Sequence, residues 1–206
     1  MDYNLSHIAG TPYIHIGSSP FSVDELNIFD LMIASEEAVY VPRVKESSRS
    51  ITLSKALDFT TEFGKSLYDN YVDIVRLLDD GSDIFDNYPY EKMVVGRQEK
   101  RHKMANVGYI QESLRCSPPG EDYEIHKDST NKLLTCLIYL EPEVSNGTFF
   151  HESKDDLPGI EHKWKRGTGY IFKSGRGSFH SYKNTTDNLR WVYMANLYQK
   201  NPFTKV

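Results

Sequence analysis

His126 and Asp128 stand two residues apart in Tyr123-Glu-Ile-His-Lys-Asp128, and that spacing is the first sign of chemistry in the chain. In an extended strand, residues i and i+2 point to the same side. The pair would then face inward together, with Ile125 and Lys127 facing out. An imidazole nitrogen and a carboxylate oxygen on one face are two vertices of a metal site. Alone, such a pair is more often a turn or a surface salt link, so a third ligand must come from elsewhere.

Three later histidines compete for that role: His151, His162 and His180. His180, in Ser178-Phe-His-Ser181, follows shortly after Gly169-Tyr-Ile-Phe172, and Arg190 stands ten residues beyond it. A hairpin of that length returns the chain so that Arg190 sits deeper in the same core. Alternation along Leu189 to Tyr198 then puts Arg190, Val192, Met194 and Asn196 on one face. A buried guanidinium needs a partner, and a carboxylate that accepts two hydrogen bonds suits it best. No acidic residue stands beside Arg190 in the sequence, so a ligand carboxylate is the expected partner. Ten residues after His151 comes Glu161, and after His162 comes Phe172; neither supplies an inward cation. His180 is therefore the expected third ligand. Two histidines and one carboxylate on a single octahedral face leave three positions open, the arrangement of iron(II) oxygenases. Along Leu133 to Leu140 the same alternation groups Thr135, Leu137 and Tyr139. The Tyr139 hydroxyl could add a hydrogen bond to the carboxylate at Arg190, although the plainer reading is a core tyrosine reaching a nearby acceptor.

These residues need a rigid frame. Ahead of them, Tyr13 to Ile16 suits a short strand, and Ser22-Val-Asp-Glu25 is a capping box that starts a helix over about Val23 to Ile33. Phe63, Leu67, Tyr71, Ile74 and Leu78 form one stripe of a second helix within Ser54 to Asp79, closed by Asp80-Gly81. Val39 to Ser50 reads as strand or loop. After Tyr90 the period changes to short β-branched or aromatic runs between turn residues: Met93 to Gly96, Val107 to Ile110, Tyr123 to Asp128, Leu133 to Glu141, Thr148 to Glu152, Ile160 to Trp164, Gly169 to Lys173 and Leu189 to Tyr198. The expected fold is mostly β with flanking helices, a jelly-roll core with amino-terminal helices packed outside. We read a single domain over 1–206, with 1–90 as helical support and 91–206 as the core carrying the site.

The run Pro119-Gly-Glu-Asp-Tyr-Glu-Ile-His-Lys-Asp128, then Leu134-Thr-Cys-Leu-Ile-Tyr-Leu140, Asn146-Gly-Thr-Phe149, Phe179-His180 and Arg190, resembles the 2-oxoglutarate- and Fe(II)-dependent oxygenases, in particular their prolyl 4-hydroxylase-like branch. The resemblance implies a double-stranded β-helix with His126, Asp128 and His180 as iron ligands. It implies Arg190 on the distal carboxylate of 2-oxoglutarate, assisted by Tyr139, with Thr148 as a further pocket residue. It also implies Fe(II) as cofactor, ascorbate as an optional reductant, O2 as oxidant, and hydroxylation of a C–H bond as 2-oxoglutarate becomes succinate and CO2. The substrate, peptide or small molecule, is not specified by it. Two departures stand out: a tyrosine usually occupies the place of Cys116 or Ser117, and the usual Gly-Gly pair is Asn146-Gly147. The aspartate is retained, whereas halogenating relatives have a small residue there, so hydroxylation is favoured.

Composition narrows the rest. A net charge of −5 gives no general attraction to nucleic acid or an anionic membrane. No run approaches the roughly 18 apolar residues of a membrane span, and the start lacks a secretory pattern. Two cysteines, Cys116 and Cys136, make no disulfide framework, so a reducing, cytoplasmic setting is expected. Two rival readings are a nucleic-acid demethylase of the same superfamily and a non-catalytic jelly-roll binding module. The first would use the basic cluster Arg97, Lys100, Arg101, His102 and Lys103; the second would pair Arg190 internally. Substrate-selecting loops are expected at Arg97 to Ala105, Ser145 to Thr148 and Glu152 to Gly159.

Overall fold

The computed structural model describes residues 4–8, 10–35, 39–40, 49–52, 61–70, 73–74, 109–129, 132–175 and 177–198. The expected strand Met93 to Gly96, the ends of the second helix and the basic cluster lie outside those residues. The described strands are β1 (Leu5–His7), β2 (Tyr13–Ile16), β3 (Val39–Tyr40), β4 (Arg49–Thr52), β5 (Tyr109–Ser117), β6 (Asp122–His126), β7 (Lys132–Glu141), β8 (Thr148–His151), β9 (Ile160–His162), β10 (Gly169–Phe172), β11 (Phe179–Lys183) and β12 (Arg190–Tyr198). They form one sheet in the order β1-β2-β10-β7-β12-β5-β4-β3 and a smaller one in the order β6-β11-β8-β9. From β6 onward the chain passes back and forth between the two sheets, which winds it into a jelly roll.

Side-chain alternation sorts the large sheet into two faces. On the outer face Cys136 and Ile138 of β7, Trp191 and Tyr193 of β12, and Ile171 of β10 join one apolar cluster. On the inner face Leu137, Tyr139, Tyr170, Phe172 and Val192 join another with Phe150 of the small sheet. Tyr13 stacks on Phe150 with ring centroids 3.7 Å apart, tying the two sheets together. Being buried on both sides, β7 and β12 read as nearly continuous apolar runs.

Two helices lie among the described residues, α1 (Val23–Ala34) and α2 (Glu62–Asp69). The capping box at α1 forms as the sequence predicts: Ser22 Oγ accepts from Glu25 N, and Glu25 Oε2 accepts from Ser22 N at 2.9 Å. Phe29 and Met32 of α1, with Phe63 and Leu67 of α2, share the outer-face cluster, and Phe29 stacks on Tyr193. Arg166 adds a link by donating to both carboxylate oxygens of Asp30 at 3.0 Å. At α2, the amino-terminal cap is itself held by the sheet. Thr61 Oγ1 accepts from Gly64 N, while the Thr61 backbone N–H and hydroxyl both donate to Glu112 of β5. Tyr193 donates to the same carboxylate. Burial pushes the Glu112 carboxyl above its usual range, against those hydrogen bonds and Lys65.

Four elements differ from the sequence expectation. The strand foreseen at Val107 to Ile110 runs to Ser117 as β5, and β1 and β11 were not foreseen. The strand expected over Tyr123 to Asp128 ends at His126, leaving Asp128 beyond it. Cys116 and Cys136 are both buried, and neither forms a disulfide among the described residues.

Candidate metal centre

The site is built on the pairing of β6 with β11. His126 and His180 are cross-strand partners, and their rings lie 4.4 Å apart. Next to this pair the register slips: His180 opposes His126, but Tyr182 opposes Tyr123. Three residues of β6 therefore answer two of β11, a bulge of one residue. Tyr123 and His126 would face opposite sides of a regular strand. The bulge lets both face inward, with ring centroids 4.6 Å apart. Asp128 joins them from just past the strand end. One ligand atom each from His126, Asp128 and His180 can be chosen so that all lie within 4.8 Å of one another.

Hydrogen bonds orient each group. His126 Nδ1 is 2.9 Å from the Glu124 carbonyl, and His180 Nδ1 is 3.2 Å from the Ser178 carbonyl. A carbonyl oxygen only accepts, so both rings carry their proton on Nδ1 and keep the Nε2 lone pair free. Burial lowers the pKa of His126, and burial with the neighbouring His126 lowers that of His180 to about 4. Both imidazoles are thus neutral at ordinary pH. Asp128 accepts from Lys132 Nζ at 2.9 Å through Oδ1 and from Thr135 Oγ1 at 2.6 Å through Oδ2. Burial alone would raise its pKa, but Lys132, His180 and the Thr135 hydroxyl outweigh it and hold the carboxyl at about 2. Two neutral imidazoles and an ionised carboxylate are the protonation states a divalent metal requires. The donor set fits.

Arg190 lies in the same cavity, of about 500 Å³, that the three residues line. It is 1% exposed. Its guanidinium carbon lies 4.3 Å from the Tyr182 ring centroid, 4.9 Å from Trp164 and 5.5 Å from Tyr139. Among the described residues the hydrogen bond it makes is a long one, 3.4 Å from NH2 to Thr148 Oγ1, and Nε has no partner. No carboxylate pairs with it among the described residues. A buried cation held by ring faces and one long hydrogen bond among the described residues has donors to spare, and a ligand carboxylate would satisfy them. A carboxylate-bearing co-substrate fits beside Arg190 on that ground.

The other expected pocket residues are placed differently from one another. Thr148 Oγ1 is a hub, bonded to Tyr139 OH at 3.2 Å, Tyr170 OH at 3.2 Å and Arg190. Tyr139 presents its ring face to Arg190, while its hydroxyl is engaged by Thr148, the His162 carbonyl and His162 Nδ1. It is fully buried and does not line the cavity; Tyr170, from the neighbouring β10, does. His162, one of the rejected ligands, serves this network, and its other nitrogen is 2.8 Å from His15 Nδ1. His151, the other, is held by Ser181 Oγ and the Asp156 carbonyl. Of the expected substrate loops, residues 145–148, Thr148 included, and 152–159 do not line the cavity. Asn146 Oδ1 instead accepts from Thr185, and a Cβ at Gly147 would come within 2.0 Å of the His162 carbonyl oxygen. Glycine at 147 is needed for that approach. Sequence reasoning did not select Tyr123, Tyr182, Tyr170 or Arg115, all of which line the cavity. Tyr182 is the aromatic residue beside Arg190 where Cys116 and Ser117 supply none; its hydroxyl meets that of Ser117.

No family model and no curated protein matches the chain. Solved structures do match. The chain is similar to a prolyl-4-hydroxylase from Pseudomonas putida, with a TM-score of 0.54 at 11% identity over 94% of this chain and 95% of that one. An oxidoreductase of the 2OG-Fe(II) oxygenase family from Burkholderia pseudomallei gives 0.53 at 12% identity, over 92% and 85%. A non-haem α-ketoglutarate-dependent epimerase of nogalamycin biosynthesis gives 0.51 at 13%, over 95% and 87%. The fold is the one these oxygenases share.

Proposed function

We propose that this chain is a 2-oxoglutarate- and Fe(II)-dependent oxygenase that hydroxylates a C–H bond. The observation that carries the reading is a pairing within one cavity. A His-Asp-His set with ligand atoms within 4.8 Å shares it with a fully buried arginine that has no carboxylate partner among the described residues. His126 Nε2, Asp128 and His180 Nε2 would hold the iron, and Arg190 would hold the far carboxylate of 2-oxoglutarate. Bound there, the metal and the ketoacid together supply oxidative decarboxylation to succinate and CO2 coupled to oxidation of the substrate.

The protein's own part is positioning and exclusion of water. The Glu124 and Ser178 carbonyls fix both imidazoles in the ligating tautomer. Thr135 and Lys132 fix the two carboxylate oxygens of Asp128. Tyr182, Trp164 and Tyr139 wall the guanidinium away from water, so its hydrogen bonds to a carboxylate form in a low-dielectric setting. Thr148, held by Tyr139, sits beside that guanidinium as a neutral hydroxyl at the same end. Residues 1–90 act as support, through the contacts of α1 and α2 with the outer face of the large sheet. A binding module of this fold would pair such an arginine internally, which is the observation that sets that reading lower.

Among the structural neighbours are a prolyl-4-hydroxylase and an epimerase, so the outcome of C–H oxidation is itself a point to test. The experiment is succinate production from 2-oxoglutarate with Fe(II), ascorbate and O2, across proline-containing peptides and small metabolites, with product mass recorded. Substrate-stimulated succinate with a product heavier by one oxygen is expected. Succinate that no added compound stimulates, or a stimulated product of unchanged mass, would contradict hydroxylation.

A further inference from the structure

The cavity is basic in an acidic protein. Among the described residues its lining carries Arg115, Lys127, Lys132 and Arg190 against the one acid Asp128, although the whole chain has a net charge of −5. Two of these cations have work already: Lys132 is bonded to Asp128, and Arg190 stands in its aromatic cage at the co-substrate end. Lys127 is exposed, with Nζ 5.5 Å from the Phe179 ring centroid. Arg115 is different. It is half-buried; among the described residues its side chain reaches the Met194 sulfur at 3.9 Å, and no carboxylate pairs with it.

Its place in the fold is also specific. Arg115 pairs with Val192, and Ser117 pairs with Arg190, so the two guanidinium-bearing positions are two residues apart along the β5–β12 ladder. At about 3.4 Å per residue that is an offset of about 7 Å. Tyr123, which lines the cavity with Arg115, packs on the His126 ring. Arg115 therefore faces the metal triad from a strand other than those carrying the ligands, and separately from the co-substrate end. A half-buried cation with no carboxylate partner among the described residues, in the cavity that the triad lines, draws anions there. A volume of about 500 Å³ suits a small molecule rather than a chain.

Resting on the function proposed above, we propose that the substrate is a small molecule bearing a carboxylate or phosphate, with Arg115 as its anchor and Lys127 as a second cation at the rim. Arg115 would set which molecule is oxidised, while Arg190 sets the uptake of 2-oxoglutarate. A guanidinium engages either anion with paired, charge-assisted hydrogen bonds.

The test is a titration of the full chain loaded with Mn(II) and saturating 2-oxoglutarate, read by calorimetry. Probes are N-acetyl amino acids as free carboxylates and as primary amides, with O-phosphoserine and inorganic phosphate to separate phosphate from carboxylate recognition. Acids should bind at least about tenfold more tightly than their amides, and this preference should weaken with salt. In Arg115→Gln the preference should vanish, in Arg115→Lys it should persist in part, and the affinity for 2-oxoglutarate should change by less than about twofold. Equal binding of acids and amides, or absence of any anion binding including phosphate, would overturn the proposal. So would an Arg115→Gln defect confined to 2-oxoglutarate. Should Arg115→Gln fail to fold, the wild-type acid–amide comparison and Lys127→Gln, expected to weaken acids but not amides, decide it. Failure of the wild-type chain to take up metal and 2-oxoglutarate in the loading step would instead count against the function proposed above.

Discussion

His126 and His180 face each other across two neighbouring strands, with ring centroids 4.4 Å apart and each Nδ1 tied to a backbone carbonyl. The pair is carried by two strands of the smaller sheet, and Tyr13 of the larger sheet braces it by donating to the Phe179 carbonyl at 3.0 Å. Its third member, Asp128, is placed by Lys132 and Thr135 of β7, in the larger sheet. Sheet-to-sheet packing therefore sets the geometry of the candidate metal centre.

That dependence makes Thr135 a sensitive position outside the ligand set. Thr135→Val keeps shape and removes the hydroxyl that donates to Asp128 Oδ2. Metal affinity should fall by about 10- to 100-fold, as for other losses behind a ligand. Metal titration of the purified variant checks this, and an unchanged affinity would mean that Lys132 suffices.

Arg190 should show opposite effects on stability and binding. Without 2-oxoglutarate, its buried charge has no anionic partner among the described residues, and Arg190→Met should match or exceed the wild-type Tm. With 2-oxoglutarate at a hundredfold over Kd, the metal-loaded wild type should gain about 2.7 kcal/mol and the variant nothing. Thermal melts of both proteins with and without the ketoacid read this directly.

Acid should destabilise the metal-free chain through its buried histidines. Burial, with His15 nearby, lowers the His162 pKa from 6.5 to about 4. Between those values the unfolded chain binds a proton that the folded chain refuses, so stability falls as pH falls through that window. The His162 share is on the order of 1–3 kcal/mol, complete above pH about 6.5. His162→Gln should be less stable at neutral pH and show a shallower loss from pH 6.5 to 4. Denaturant melts across the window measure both slopes; equal slopes would contradict the assignment.

Much of this was legible in the sequence because the large sheet is apolar on both faces. β7, β10 and β12 announce themselves, and alternation sorts Arg190, Val192 and Met194 from Tyr193 and Ala195 correctly. Strand β11 carries His180 and Tyr182 toward the cavity, so its inner face is polar and gives no apolar period. Strand β5 fails for a similar reason: Arg115 and Ser117 face the cavity, and Glu112 on the other face is hidden by its bonds to Thr61 and Tyr193. The bulge that turns Tyr123 inward leaves no composition signal. Among fourteen tyrosines, residue type alone could not separate Tyr170 and Tyr182, which line the cavity, from Tyr139, which backs it.

Two glycines give a paired test of packing. Gly147→Ala would push a methyl within 2.0 Å of the His162 carbonyl oxygen, while a Cβ at Gly175 meets nothing within 4 Å. The first should cost about 1–3 kcal/mol and weaken 2-oxoglutarate binding through displaced Thr148; the second should change stability by less than about 0.5 kcal/mol. Comparable losses in the two variants would show that the approach of β8 to β9 is looser than described.

The most direct check is calorimetric titration of 2-oxoglutarate into the chain with and without Mn(II), alongside His180→Ala and Arg190→Met. The account predicts stoichiometric uptake by the wild type only when metal is present, loss of metal and ketoacid binding together in His180→Ala, and loss of ketoacid binding with metal retained in Arg190→Met. Uptake that ignores the metal, or that survives both substitutions, would contradict it.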